Sequence, residues 1–341
     1  MRVASEHPTS CDRQRRLRAV AGRGLGTGTA GWRPADRPVV RHRDLTKLPE
    51  CRAFVDELAR LGRAQGREIE YLHRYAGTYD EPQMSRLLVA AAAELVAQRV
   101  DVIYTVEIAA TVQAAQRVTQ SVPIVFDRSW VDPVEIGLVS SLSRPAGNVT
   151  GNAVLGFELE SKAIEALLTV VGTQAPIELV QSTSVRSWPA YERVKAMRSV
   201  IERTLGVRLE VREADGIEQL GDALVRMRRQ GVRGVKLDDP EEFAPRREEV
   251  AAMFAANRLA AVSTEPEFAR AGLLIGFGWD VDEIARRSAG YVHRILNGAR
   301  PGELPVEQMT KFKLILNRRA ARTIGATLPR ALLARADEVI E

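Results

Sequence analysis

From about residue 50 the chain alternates between two hydrophobic periods. The stretch CRAFVDELARLG puts Phe54, Val55, Leu58 and Leu61 on one face at helical spacing. Gly62 and Gly66 interrupt it, and REIEYLH then reads as a strand. Asp80 is placed to cap a helix with Pro82 in its first turn, running through MSRLLVAAAAELVAQR. The strand VDVIYTV, the helix IAATVQAAQRVTQ and the strand VPIVFD follow, and Asp132-Pro133 is placed to open another helix. The break SRPAGNVTG, at 143–151, ends this first run.

The alternation then restarts. Helix ELESKAIEALLTVV leads to strand PIELVQS, helix AYERVKAMRSVIERTLG to strand VRLEVRE, and helix GIEQLGDALVRMRRQG to strand RGVKLDD. Helix EEFAPRREEVAAMFAANR leads to AAVST; a short helix around Phe268, strand GLLIGFG and helix VDEIARRSAGYVHRILNG come next. Helices between short β-branched runs predict parallel strands with crossover helices. About a dozen such elements exceed one sheet of usual size. The pattern therefore predicts two doubly wound α/β lobes with parallel sheets, separated near 143–151.

In open α/β sheets, ligands sit beyond the carboxyl ends of the strands. Three of the four tryptophans fall there: Trp130 after VPIVFD, Trp188 after PIELVQS and Trp279 after GLLIGFG. Singly, each fits a loop cover or an inter-lobe packing residue; together they favour an aromatic-lined cleft. Polar groups follow the same strands: Thr105, Asp127, Arg128, Ser182, Ser184, Arg186, Asp238 and Glu265. A helix starting near Ile108 offers free backbone N–H groups to a carboxylate. An Arg for a carboxylate and an Asp or Glu for an amine suit an amino-acid-like solute. Asp238-Asp239 ends a strand, where catalytic carboxylates often sit, but adjacent residues there point to opposite faces and helix capping with solvation is the favoured reading.

No catalytic constellation stands out. The patterns G-x-x-x-x-G-K-[ST], H-E-x-x-H and G-x-S-x-G are missing from the sequence. The two cysteines, Cys11 and Cys51, build neither a disulfide framework nor a zinc site, and His73 and His293 stand far apart. No metal and no cofactor are expected.

Charge changes the picture mainly at the start. Residues 1–50 carry a net +6 and the remainder a net −1, so the basic character belongs to a leader. A nucleic-acid partner wants a basic stripe across a fold, so none is expected. Residues 1–46 are Arg- and Gly-rich without apolar periodicity and read as a disordered tail. Within them GTGTAG, at 26–31, matches G-x-G-x-x-G but lacks the strand and helix that motif needs. The leader also lacks the apolar core of a secretory signal. A wrong upstream start, or a frame shift near residue 45, is one explanation that would account for it.

Three stretches stand out: DPVEIGLVSSLSRPAGNVTG, RAGLLIGFG and the tail LPVEQMTKFKLILNRRAARTIGATLPRALLARADEVIE. On these, from about residue 53 to the end, the chain resembles the substrate-binding proteins of bacterial ABC importers, in particular the subgroup that binds aromatic amino acids such as tryptophan. The resemblance implies a type I periplasmic-binding-protein fold: two Rossmann-like lobes joined by three crossing segments, closing over a small solute. It implies a membrane permease as partner, a periplasmic or membrane-associated extracytoplasmic location, and no enzymatic activity. Carried over by residue, the cleft comprises Thr105, Glu107, Ala109, Phe126, Asp127, Arg128, Trp130, Asp132, Ser182, Ser184, Trp188, Asp238, Glu265, Phe268, Gly276 and Trp279.

The first lobe would take residues 47–150 with 278–308, and the second 151–277 with 309–341. The crossings are expected near 149–152, near 275–278 and between Pro305 and Lys311. Hinge residues would be Asn148, Thr150, Gly151, Gly276 and Gly278. Within SRPAGNVTG, Pro145 stops a helix, Gly147 allows a sharp turn, and the glycines flanking NVT absorb backbone rotation. Asn148-Val149-Thr150 also matches a glycosylation acceptor, a short pattern with many false matches. This chain departs from the family in YTVEIAAT, where small residues and Gly are usual, and in KLDDPEEF. Two other readings remain: a ligand-sensing domain of a regulator or receptor, and an α/β enzyme using Asp238 or Glu265. The second lacks a nucleophile–base pair.

Overall fold

The computed structural model describes residues 49–74, 83–106, 109–154, 156–183, 191–238 and 243–341. The leader expectations, Asp80, Pro82, Glu107, Ser184, Arg186 and Trp188 lie outside the described residues.

Two sheets form, as the restart of the alternation implies. The first holds β1 (Ile103–Thr105), β2 (Ile124–Ser129), β3 (Val149–Val154) and β9 (Glu307–Met309), all parallel, in the order β1-β2-β3-β9. Its faces are covered by α1 (Pro49–Arg60) with α9 (Val281–Leu296) and by α2 (Gln83–Ala97) with α3 (Ala109–Val118). Period-two alternation sends Tyr104 to the α1/α9 face and its neighbour Ile103 to the other.

The second sheet adds β4 (Ile177–Gln181), β5 (Leu209–Glu213), β6 (Gly234–Leu237), β7 (Ala260–Ser263), β8 (Ile275–Trp279), β10 (Phe312–Asn317) and β11 (Glu338–Ile340). Its order is β11-β10-β8-β7-β6-β4-β5. One face packs on α4 (Gly156–Val171) and α5 (Tyr191–Leu205), the other on α6 (Gly216–Arg229) and α7 (Arg247–Ala256). Three short helices, α8 (Glu267–Arg270), α10 (Arg318–Ile324) and α11 (Arg330–Leu333), complete it. β10 runs antiparallel to β8, an exception to the parallel expectation. The chain has by then passed back from the first sheet and enters from the opposite end.

Several expectations change. REIEYLH is no strand; a lone bridge between Gln65 and Ile69 stands there. Asp132-Pro133 opens a series of turns over 132–137 and no helix. The crossings also shift. β3 pairs with β9 through Val154, so the chain leaves the first sheet at 154–156, after Asn148, Thr150 and Gly151. It returns after Trp279, beyond Gly276 and Gly278, and passes again between Met309 and Phe312. The boundaries expected at 150, 277 and 308 thus fall within or beside strands.

The hinge candidates have other work. Asn148 donates to Val122 O at 2.7 Å, and Thr150 Oγ1 to Leu304 O at 2.8 Å, both inside the first lobe. A Cβ on Gly151 would strike the carbonyl oxygen and ring of Phe126. Glycine there lets two strands carry an aromatic ring between them. Gly276 and Gly278 admit the turn at 264–266: a Cβ on Gly276 would come within 2.7 Å of Pro266. The glycine-rich GLLIGFG serves close packing.

The segments that do cross share one cluster. Val154, Trp279, Met309 and Phe312 pack together, with the Trp279 and Phe312 rings 4.6 Å apart. Lys162 Nζ lies 4.7 Å from the Phe312 ring centre.

Candidate functional site

Most expected site residues lie at or just past the carboxyl ends of β1 and β2 in the first sheet and of β4, β6, β7 and β8 in the second. On the first lobe, Thr105 ends β1 at 1% exposure, and its Oγ1 has no hydrogen-bond partner among the described residues. A buried hydroxyl left unpaired costs about 1–3 kcal/mol, so such a group calls for an explanation. α3 starts four residues later at Ala109, with its first backbone N–H groups unclaimed by the helix itself.

Two strands away on β3, Asn152 Nδ2 donates to Ser288 Oγ at 3.0 Å, while Asn152 Oδ1 finds no donor among the described residues. Tyr104 bonds the same serine; burial, with the nearby Asp127 charge, pushes its phenol well above the usual range. Asp127 is buried beside Arg128, 3.2 Å away. Trp130, 42% exposed, forms the rim. Its backbone and ring lie against Gly156, the start of α4, and Phe157 next to it is also exposed. Asp132 Oδ1 accepts from Val134 N–H at 2.8 Å and so fastens a turn.

The second lobe's floor is charged but occupied. Lys236 is 1% exposed, in the middle of β6. Val235 and Leu237 beside it pack under α6 and α7, so Lys236 points toward α4. There its Nζ lies 2.7 Å from Glu160 Oε2 and bonds Asp238 Oδ1. Burial works against the Lys236 charge, yet Asp238 and Glu160 outweigh it and hold its pKa above the ordinary lysine value. Burial pushes the Glu160 carboxyl up, against the pull of Lys236. Arg198 on α5 donates to Gln181 Oε1 at 2.8 Å and lies 3.9 Å from Asp238. Beside them a cavity of about 20 Å³, room for one water molecule, is lined by Glu160, Arg198 and Asp238 with Met197 and Ile201.

Two polar candidates are therefore already spoken for. Asp238, expected as an amine acceptor or helix cap, is held by Lys236. Ser182 Oγ donates to Asp215 Oδ1 at 2.9 Å, alongside Thr183 N–H at 2.8 Å. Burial works to raise the Asp215 carboxyl, but the Thr183 and Ser182 donors bring it below the usual aspartate value.

Other expected residues lie in cores. Phe126 and Phe268 are buried among apolar side chains. Trp279 is 4% exposed and packs against the Phe312 ring at a tilt of 36°, although its Nε1 has no partner among the described residues. Glu265 is half-buried, its N–H bonded to Ser263 Oγ at 3.1 Å. Sequence reasoning missed Glu160, Lys236 and Arg198. A lysine inside the buried run RGVKLDD was the available signal, because a strand covered on both faces has no water for an ammonium.

A family model described as ABC transporter substrate binding protein matches residues 54–340. A curated tyrosine-binding protein of Clostridioides difficile (strain R20291) is 25% identical over 233 residues, covering 66% of this chain. That match spans 63% of the relative's own length. A conserved domain protein from Vibrio cholerae superimposes with a TM-score of 0.71 at 23% identity, covering 95% of this chain and 99% of that one. An ABC domain in complex with L-Trp from Streptococcus pneumonia gives 0.71 at 18% identity, with the same coverage. A ligand-free, open substrate binding protein with adhesive properties from Clostridium difficile gives 0.65 at 17% identity, covering 95% and 99%. With a match running from the middle of α1 to the last strand, the chain belongs to the ABC transporter substrate binding protein family.

Proposed function

We propose that this protein captures a small solute between its lobes as the binding component of an ABC import system. The solute is an amino acid or a close analogue with an aromatic or apolar side chain. The observation that carries this reading is Thr105 Oγ1, buried and without a partner among the described residues, just before the start of α3. A carboxylate at that helix start would accept from the hydroxyl and from backbone N–H groups together. The exposed faces of Trp130 and Phe157 supply a place for a planar side chain. The tyrosine-binding relative and the L-Trp complex support the same solute class. Family membership supports a membrane permease as the partner that reads closure, and an extracytoplasmic site of action. The two lobes are 49–154 with 281–309, and 156–279 with 312–341. Closure is a rotation about the segments between them, around the Trp279–Phe312 pair.

The test is a thermal-shift screen of the whole chain against amino acids, purines and small carboxylates. A solute at a hundredfold excess over its Kd stabilises by about 2.7 kcal/mol. L-Tryptophan or L-tyrosine is expected to shift the midpoint, and decarboxylated tryptamine is not. No shift with any solute, together with measurable turnover of one, overturns the reading.

A further inference from the structure

The turn after β2 and the first turn of α5 meet across the cleft. Arg193 Nε lies 3.1 Å from Glu135 Oε1. Among the described residues, the other ion pairs stay inside one lobe, as in Arg74–Glu94, Arg212–Glu178, Arg270–Glu338 and Arg287–Glu307.

Both ends of this pair are mounted firmly. Glu135 projects from a turn in which Leu138 N–H donates to Pro133 O at 2.8 Å and Ile136 N–H to Asp132 O at 3.1 Å. Leu138 and Val139 sink into the first lobe's core, and Gln116 donates to Leu138 O at 3.0 Å. On the other side, α5 buries little besides Ile201. It is held instead by Arg198 on Gln181 and by Glu202, which accepts from Leu209 N–H at 2.7 Å. The Lys236 cluster sets Asp238 beside Arg198, and so fixes the helix that presents Arg193.

On the second lobe, the strand that leads to Arg193 stands away from the crossing at Trp279. β4, which feeds α5, is the third strand from β8 in the order β8-β7-β6-β4. At about 4.8 Å per strand, that is about 14 Å from the crossing at Trp279. A hinge rotation moves a point at that radius by several ångströms, enough to separate an ion pair. The contact therefore belongs to the closed arrangement alone, and it biases the equilibrium by its own free energy.

We propose that Glu135 and Arg193 form a latch: a pair of positioning residues that holds the lobes closed at the side of the cleft away from the crossing at Trp279 and slows escape of the solute. The inference rests on the reading that the lobes close over a solute. Its readout does not need one. Both side chains are about half exposed, so the pair is screened by salt and its effect is modest.

The test places spin labels at Ser143→Cys and Ser199→Cys, exposed positions on opposite lobes, in a Cys11→Ser chain; Cys51 is buried. Inter-label distances are measured without solute. Glu135→Lys is expected to raise the long-distance population about two- to fivefold, the range an exposed ion pair carries. The swapped Glu135→Arg/Arg193→Glu chain is expected to restore the original distribution, and about 1 M salt to abolish the difference between them. Thermal midpoints confirm that each variant is folded, and Glu135→Gln replaces Glu135→Lys if it is not. An unchanged distribution in the single variant, or a swap that fails to restore it, overturns the latch. A chain that shifts with no solute and turns one over overturns the solute reading and leaves the distance comparison decisive for the latch.

Discussion

The two floors of the cleft use polar groups in opposite ways. On the first lobe, Thr105 Oγ1 and Asn152 Oδ1 are buried and unsatisfied among the described residues. On the second, Lys236 holds Glu160 and Asp238, Arg198 holds Gln181, and Asp215 is filled by Ser182 and Thr183. The first lobe keeps hydrogen-bonding capacity in reserve; the second spends its capacity on its own frame. On the proposed reading, a solute's charged head would meet the first lobe, while the second lobe would offer a wall whose charges are already paired. The contrast also separates two uses of buried polarity. An unpaired hydroxyl costs stability until something binds it, whereas a paired buried charge mainly punishes the loss of its partner.

The largest expected effect strikes the paired floor. Lys236→Met leaves Glu160 and Asp238 facing each other with only the more distant Arg198 as a cation, 3.9 Å from Asp238, and is expected to cost about 3–5 kcal/mol in urea unfolding. The triple variant Glu160→Gln/Lys236→Met/Asp238→Asn removes both orphaned charges and is expected to recover most of that loss. A single variant as stable as the parent would mean that the cluster does not organise the second lobe.

Next is Gly151→Ala. Its Cβ would collide with the Phe126 carbonyl and ring, so the first lobe is expected to lose about 1–3 kcal/mol through overpacking. Thermal midpoint and lobe closure measured on one sample distinguish packing from a hinge. A normal midpoint with altered closure would return Gly151 to the hinge.

The unpaired floor gives the opposite signature. Thr105→Val keeps the shape and removes the unsatisfied hydroxyl. Stability is expected to hold or rise, while the affinity for L-tryptophan, measured by calorimetry, falls about tenfold or more, the worth of a hydrogen bond to a charged group. Unchanged affinity would remove Thr105 from the binding floor.

The smallest effect concerns Asp215. Its folded pKa is depressed, so its contribution to stability is present above the ordinary aspartate pKa of about 3.9. It is lost as pH falls through the depressed folded value. Hydrogen exchange at the Thr183 amide is expected to lose protection in that acid window, and Asp215→Asn to show weakened protection already at neutral pH.

Much of the architecture was legible along the chain. Helical and strand periods marked α1 through α9 and the core strands, because burial on one face or both leaves its mark residue by residue. The failures have physical reasons too. REIEYLH has strand composition, but pairing is a property of two segments, and only a bridge to Gln65 forms. SRPAGNVTG carries every local mark of a flexible joint, yet Asn148, Thr150 and Gly151 are bound to Val122, Leu304 and Phe126 inside one lobe. The strand-end positions of Thr105 and Trp130 were readable from the order of elements. That Trp279 and Phe268 face cores was not, since period alone does not say what covers a strand end.

By itself, then, the sequence determined two alternating α/β runs, because hydrophobic period and strand order are local and cumulative, and its resemblance carried the family. Only the tertiary structure decided which polar groups stay unspent. The partners of Lys236, Asp215 and Glu135 lie on other elements, and whether a buried charge is satisfied depends on distances of a few ångströms that arise when those elements pack.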